Sequence, residues 1–181
     1  MVTVDFSRLS VAPGARILDI GCGSGRHTAA AYRLNGVHVT GADIDPKDLE
    51  KARGRLRLHD NLGEHGGGTW NLTAADVTHL PFPDACFDLV ICSEVLEHIP
   101  DHECAAREIV RVLKPGQMLA VSVPRHLPER ICWALSDDYG SASQGHVRIY
   151  RKAALVDLLE RAGTRLIGHH HAHSIHTPYW W

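Results

Sequence analysis

The 181-residue sequence predicts an α/β fold, an open, doubly wound and mostly parallel sheet of six strands covered by helices. Three observations predict it. Short apolar runs alternate with stretches of helical periodicity along most of the chain. The first run, Ile17–Ile20, leads straight into glycines at alternate positions, Gly21, Gly23 and Gly25, and then into a helix. A later run, Phe87–Cys92, is continuously apolar apart from Asp88.

Each element carries its own signal. Arg16–Ile20 is the first strand, and Arg26–Leu34 is a helix closed by Asn35-Gly36. His38–Ala42 is the second strand. Asp45 then caps a helix with Pro46 in its first turn, reaching about Leu58. Residues 61–68 are glycine-rich and read as a loop. Trp70–Ala75 and Phe87–Cys92 are strands three and four. Asp101–Leu113 is a helix stopped by Pro115 and Gly116, and Met118–Val123 is strand five. Residues 127–145 carry a weak helical signal at Ile131–Leu135 followed by a polar loop. Lys152–Ala162 has apolar residues at 154, 155, 158, 159 and 162, the spacing of one helix face, and Gly163 ends it. Arg165–His171 is strand six.

Composition narrows the classes of function. The length fits one domain, residues 1–181. A net charge of −2 sets up no basic field for nucleic acid or an anionic membrane. No run approaches the roughly 20 apolar residues of a membrane span. The first residues lack the cationic start and apolar stretch of a secretory signal. Five cysteines, with no C-x-x-C pair, read as reduced thiols, so a cytoplasmic protein is expected.

The glycine loop indicates its ligand. A dinucleotide fingerprint requires G-x-G-x-x-G, with pyrophosphate at the helix N-terminus. Here the third glycine comes one residue early, and Arg26 stands where that pattern has its last glycine. Asp19, two residues before Gly21, repels phosphate and attracts an ammonium. The loop suits a ligand with a cationic end.

From Asp19 to Gly25 the chain matches [D/E]-x-G-x-G-x-G and resembles the class I S-adenosylmethionine-dependent methyltransferases. Three more segments fit at the family's spacing: Val39–Asp45, Asp76-Val77 before Leu80–Asp84, and Phe87–His98, with Lys114-Pro115-Gly116 introducing strand five. The family has a second glycine where Gln117 stands. The resemblance implies a Rossmann-like fold, S-adenosyl-L-methionine as cofactor and S-adenosyl-L-homocysteine as product. It implies that Asp19 holds the amino group, Asp43 the ribose hydroxyls, and Asp76 with the Val77 amide the adenine. Gly21, Cys22, Gly23, Gly25, His27, Ile44, Ser93 and Glu94 complete the expected cofactor site. The family's antiparallel seventh strand is not evident in the sequence. The apolar ending Tyr179-Trp180-Trp181 suggests a shortened C-terminus and offers a contact surface for a homodimer.

A sulfonium methyl is already activated, so the protein aligns donor and acceptor and excludes water. An oxygen acceptor also has a proton to lose. His98 is the candidate base, with Glu94 and His146 as further catalytic candidates. No metal is expected. An alternative stays open, because Glu94, Glu97 and His98 at i, i+3 and i+4 on a helix would share one face and suit a divalent cation. Ubiquinone-biosynthesis O-methyltransferases and small-RNA 2′-O-methyltransferases look similar at this segment. His146, Arg148 and Tyr150 alternate, and Arg148 could fork onto a substrate carboxylate or phosphate, or onto a structural carboxylate. The histidines at 169–171, 173 and 176 read as polar residues at a sheet edge. The expected activity is methyl transfer to a small molecule at oxygen, with no nucleic-acid or membrane partner. An RNA or protein methyltransferase and a catalytically silent cofactor-binding module are the alternatives.

Overall fold

The computed structural model describes residues 2–124 and 145–171. Its elements are β1 (Arg16–Ile20), α1 (Arg26–Tyr32), β2 (His38–Asp43), α2 (Pro46–Leu62), β3 (Thr69–Ala74), β4 (Phe87–Ser93), α3 (His102–Val112), β5 (Leu113–Ser122) and α4 (Lys152–Arg161). The strands form one sheet in the order β3-β2-β1-β4-β5, and every pairing is parallel. Strand order reverses beside β1, where β2 lies on one side and β4 on the other. In an open parallel sheet that point places a crevice outside the carboxyl ends of the strands.

Alternation along the strands builds two apolar layers. Ile17, Val39, Leu89 and Ile91 point to one face, against Ala29, Ala31 and Tyr32 of α1 and Leu56 of α2. Leu18, Ile20, Val90 and Cys92 point to the other, against Ala105, Ala106, Ile109 and Val112 of α3 and Leu158 of α4. Both faces of β1 and β4 are therefore dry, which is why their sequences are continuous apolar runs. The charged exceptions are Arg16 at the exposed start of β1, the buried Asp19 near its end, and Asp88, which accepts the Arg16 N–H at 2.9 Å and pairs with Lys114 at 2.6 Å. Before β1 the chain crosses the α1/α2 layer, burying Val4 and packing Phe6, Leu9 and Val11 against it.

Several boundaries differ from the sequence expectation, for physical reasons. The second helix runs to Leu62, because Gly63 at φ 65° closes it and Asp60 takes bonds from Tyr32 and Trp70 at 2.8 and 2.9 Å. The fifth strand starts at Leu113, which pairs with Phe87, and a bulge between Phe87 and Leu89 accommodates the Pro115-Gly116 turn. The described sheet has five strands, not six. Residues 165–171 carry no regular structure, and Leu166 and Ile167 are exposed. An extended segment becomes a strand only through a ladder partner, and among the described residues this one has none. The expected short helix at 131–135 and the tail beyond His171 lie outside the described residues. No described helix is long and apolar enough to cross a membrane.

Candidate functional site

The glycine loop sits at the carboxyl end of β1. Gly21 adopts φ 60°, and a Cβ placed there would lie 2.3 Å from Val95 Cγ2, so only glycine allows the loop after β4 to approach. Gly23, at φ 50°, would point a Cβ into open space, which leaves a bare backbone face for a ligand. The loop is tied to β2, since Cys22 N–H donates to the Ala42 carbonyl at 3.0 Å and Gly23 N–H to Asp43 Oδ2 at 2.7 Å. Asp43 Oδ1 accepts the Asp45 N–H at 2.9 Å. Each carboxylate oxygen has a second lone pair, so Asp43 can still receive a pair of hydroxyls.

Asp19 lies behind the loop and is 1% exposed. Its Oδ2 accepts the Thr28 hydroxyl at 2.6 Å. Burial raises its carboxyl to about 7 from an ordinary 3.8, with the Thr28 bond opposing the shift. A buried carboxyl in this state gains from a cation brought alongside. Burial also pushes the Cys22 thiol up, out of reach as a thiolate near neutrality. The exposed Ile44 follows Asp43 at the end of β2. Asp76 uses Oδ1 for both the N–H and the hydroxyl of Thr78, each at 2.8 Å, which holds its carboxyl below the usual range, and Val77 beside it is buried.

His27 and Ser93 meet a partner the sequence did not disclose. Thr3 N–H donates to His27 Nε2 at 2.9 Å, and the Thr3 hydroxyl lies 2.8 Å from Ser93 Oγ and 3.0 Å from Ser122 Oγ. Burial lowers His27 to about 4, so its ring is neutral and accepts. His170 in turn reaches the Thr3 carbonyl at 3.2 Å. Nothing local in the sequence marks Thr3, because its partners lie 24, 90 and 119 residues away.

The segment after β4 corrects an expectation. Residues 94–98 are not helical: Glu94 adopts φ 58° and is exposed, and a turn follows in which His98 N–H donates to the Val95 carbonyl at 2.9 Å. A left-handed residue at the strand end breaks the 3.6-residue repeat, so Glu94 does not share a face with Glu97 and His98. His146 comes in instead. Glu97, His98 and His146 each offer one ligand atom, all within 4.8 Å of one another. The two imidazole centroids are 4.5 Å apart at 66°. Glu97 is buried and both histidines are half-buried.

Arg148 is also placed differently from either expectation. Its guanidinium donates to the backbone carbonyls of Leu96, Ile99 and Pro100, and among the described residues no carboxylate pairs with it.

A parallel sheet with a glycine loop at the switch point, a buried acid behind it and a second acid at the end of the next strand has the arrangement of a nucleotide-binding sheet. The chain belongs to the methyltransferase domain family, whose model matches residues 18–121, and within it to the class I S-adenosylmethionine-dependent group. It is 38% identical over 120 residues to methyltransferase GfsG of Streptomyces halstedii, covering 65% of this chain and 40% of that protein. It is 36% identical over 115 residues to O-methyltransferase rstn1 of an Aspergillus nomiae strain, covering 64% of this chain and 49% of that one. Among solved structures, the [4+2]-cyclase SpnF superposes with a TM-score of 0.70 at 27% identity, over 87% of this chain and 53% of that chain. The chain thus spans less than half the length of the curated relatives quoted.

Proposed function

We propose that this chain is the catalytic domain of an S-adenosyl-L-methionine-dependent methyltransferase acting on a small-molecule hydroxyl. The observation that carries the reading is the Glu97–His98–His146 cluster, whose Glu97 lies two residues after Val95, the residue packed on Gly21 of the glycine loop. The residues present fit the cofactor: a buried acid that gains from a cation, a bare glycine backbone and an acid with spare lone pairs. Asp19 would hold the ammonium, Asp43 the ribose hydroxyls, and Asp76 and the Val77 amide the adenine, with Gly21, Cys22, Gly23 and Gly25 lining the cradle. His27, Ile44, Ser93 and Glu94 border it.

When bound, the cofactor supplies an activated methyl group on sulfur. The protein's own work is to align the acceptor and to take its proton. His98 takes that proton at an imidazole nitrogen, with His146 against its ring and the Glu97 side chain close by. Relatives named as O-methyltransferases support an oxygen acceptor, and the net charge of −2 supports a small molecule over nucleic acid.

The test is calorimetry with S-adenosyl-L-homocysteine beside turnover on a panel of hydroxylated small molecules. We expect micromolar-range binding, and a His98→Gln variant that keeps it while kcat falls about 10²- to 10⁴-fold. An unchanged kcat would remove His98 as the base. Binding by the parent chain without turnover on any acceptor would favour the silent module, a reading supported by the likeness to a protein named as a cyclase.

The same cluster supports a second reading. One carboxylate and two imidazoles within 4.8 Å suit a divalent cation that would hold and acidify the acceptor hydroxyl. Mn²⁺ added to chelator-stripped protein should then give a bound-manganese spectrum that His146→Gln abolishes. Identical spectra for the two proteins would eliminate the cation.

A further inference from the structure

The turn that carries Glu97 and His98 belongs to neither helix nor sheet, so its backbone acceptors have to be satisfied from elsewhere. Within the turn, the Val95 and Leu96 carbonyls accept the His98 and Ile99 N–H groups at 2.9 and 3.4 Å, and the remaining bonds come from residues 147 and 148. The Glu97 carbonyl accepts the Val147 N–H at 2.9 Å. The carbonyls of Leu96, Ile99 and Pro100 accept from the two terminal nitrogens of Arg148. Two residues on, the Tyr150 hydroxyl bonds His102 Nδ1 in the first turn of α3, and Tyr150 is buried. Between these anchors, Val147 is exposed. Residues 146, 148 and 150 thus face the 96–102 segment while 147 faces out, the alternation of an extended strap.

We propose that Arg148 is the positioning residue of this site: its fork onto the Leu96, Ile99 and Pro100 carbonyls docks the 145–150 strap and so delivers His146 to Glu97 and His98. The inference rests on the assignment of that cluster to the acceptor side of the methyltransferase site. A planar guanidinium spreads its donors over two terminal nitrogens and can serve three converging carbonyls at once, whereas an ammonium gathers its three donors on one nitrogen at the end of a flexible stem. One side chain therefore orders the turn bearing two members of the cluster and fixes the strap bearing the third. Three of the five guanidinium donors of Arg148 are thereby committed to backbone.

The test couples an activity-independent readout to kinetics. At fixed pH, His146→Gln should shift the His98 ring-proton resonance in the parent chain, because the rings touch. In an Arg148→Ala background the same substitution should leave that resonance unmoved. S-adenosyl-L-homocysteine affinity should stay within about twofold, with kcat reduced about 10²-fold, the scale of a misplaced catalytic group. Arg148→Lys, retained for the case that alanine unfolds the chain, should give the same pattern at about tenfold. A His98 shift that survives in either variant overturns the clamp, and so does loss of homocysteine-product binding in parallel with turnover. Loss of the ring contact with unchanged kcat upholds the clamp and overturns the catalytic assignment of the cluster.

Discussion

Burial shifts Asp19 and His27 each toward its neutral form, raising the one and lowering the other, with opposite consequences for pH. Asp19 titrates at about 7 folded against 3.8 unfolded, so it destabilises the fold progressively as pH rises from about 4 to 7. That amounts to about 4 kcal/mol by linkage. His27 titrates at about 4 folded against 6.5 unfolded, so the stability it contributes is present above 6.5 and lost as pH falls toward 4, about 3 kcal/mol. Between about 4 and 6.5 the two slopes oppose and largely cancel. Thermal unfolding of the ligand-free protein should be nearly flat across that interval as far as these two groups are concerned. Asp19→Asn should unmask stability that rises with pH, and His27→Gln stability that falls. A parallel response of the two variants would contradict the assignment. Asp19→Asn should also weaken S-adenosyl-L-homocysteine binding roughly 10- to 100-fold, the loss of one hydrogen bond to a charged group.

Two connecting segments, the glycine loop and the turn after β4, are fitted to each other rather than to their own helices. Gly21→Ala places a methyl against Val95 and a side chain at φ 60°, and should cost about 1–3 kcal/mol in chemical denaturation. Adding Val95→Ala should return part of that loss, because the clash goes while the left-handed backbone stays. No recovery would show that the contact is not what the glycine serves. These segments also mark how far a sequence can be read. Glycines spaced two apart announce a ligand loop, because backbone freedom is a property of the residue itself. The turn at 94–98 is harder, since E-V-L-E-H has helical spacing and only its contact with Gly21 and its place at the end of β4 decide against a helix. The pattern placed Glu94, Glu97 and His98 together; the backbone at Glu94 separates the first from the other two.

Taken as a molecule, the domain is two apolar layers on a parallel sheet, with its chemistry gathered at one end. The layers were legible because strand and helix periodicities are local: Ile17–Ile20, Phe87–Cys92 and the face of α4 declare which side they bury within a few residues. A sixth strand was not decidable that way, since Arg165–His171 has strand-like composition but a strand exists only with a neighbour to bond. The proposed cofactor half, Asp19 through Gly25 with Asp43 and Asp76, is legible in the sequence alone, because each residue sits at or just after a strand end whose position local pattern reveals. The proposed acceptor half is decided only by the tertiary structure. His146 reaches Glu97 and His98 across some fifty residues of chain, held by Arg148 on carbonyls that look the same in every sequence. No periodicity records such a contact, because it depends on where two distant backbones come to rest.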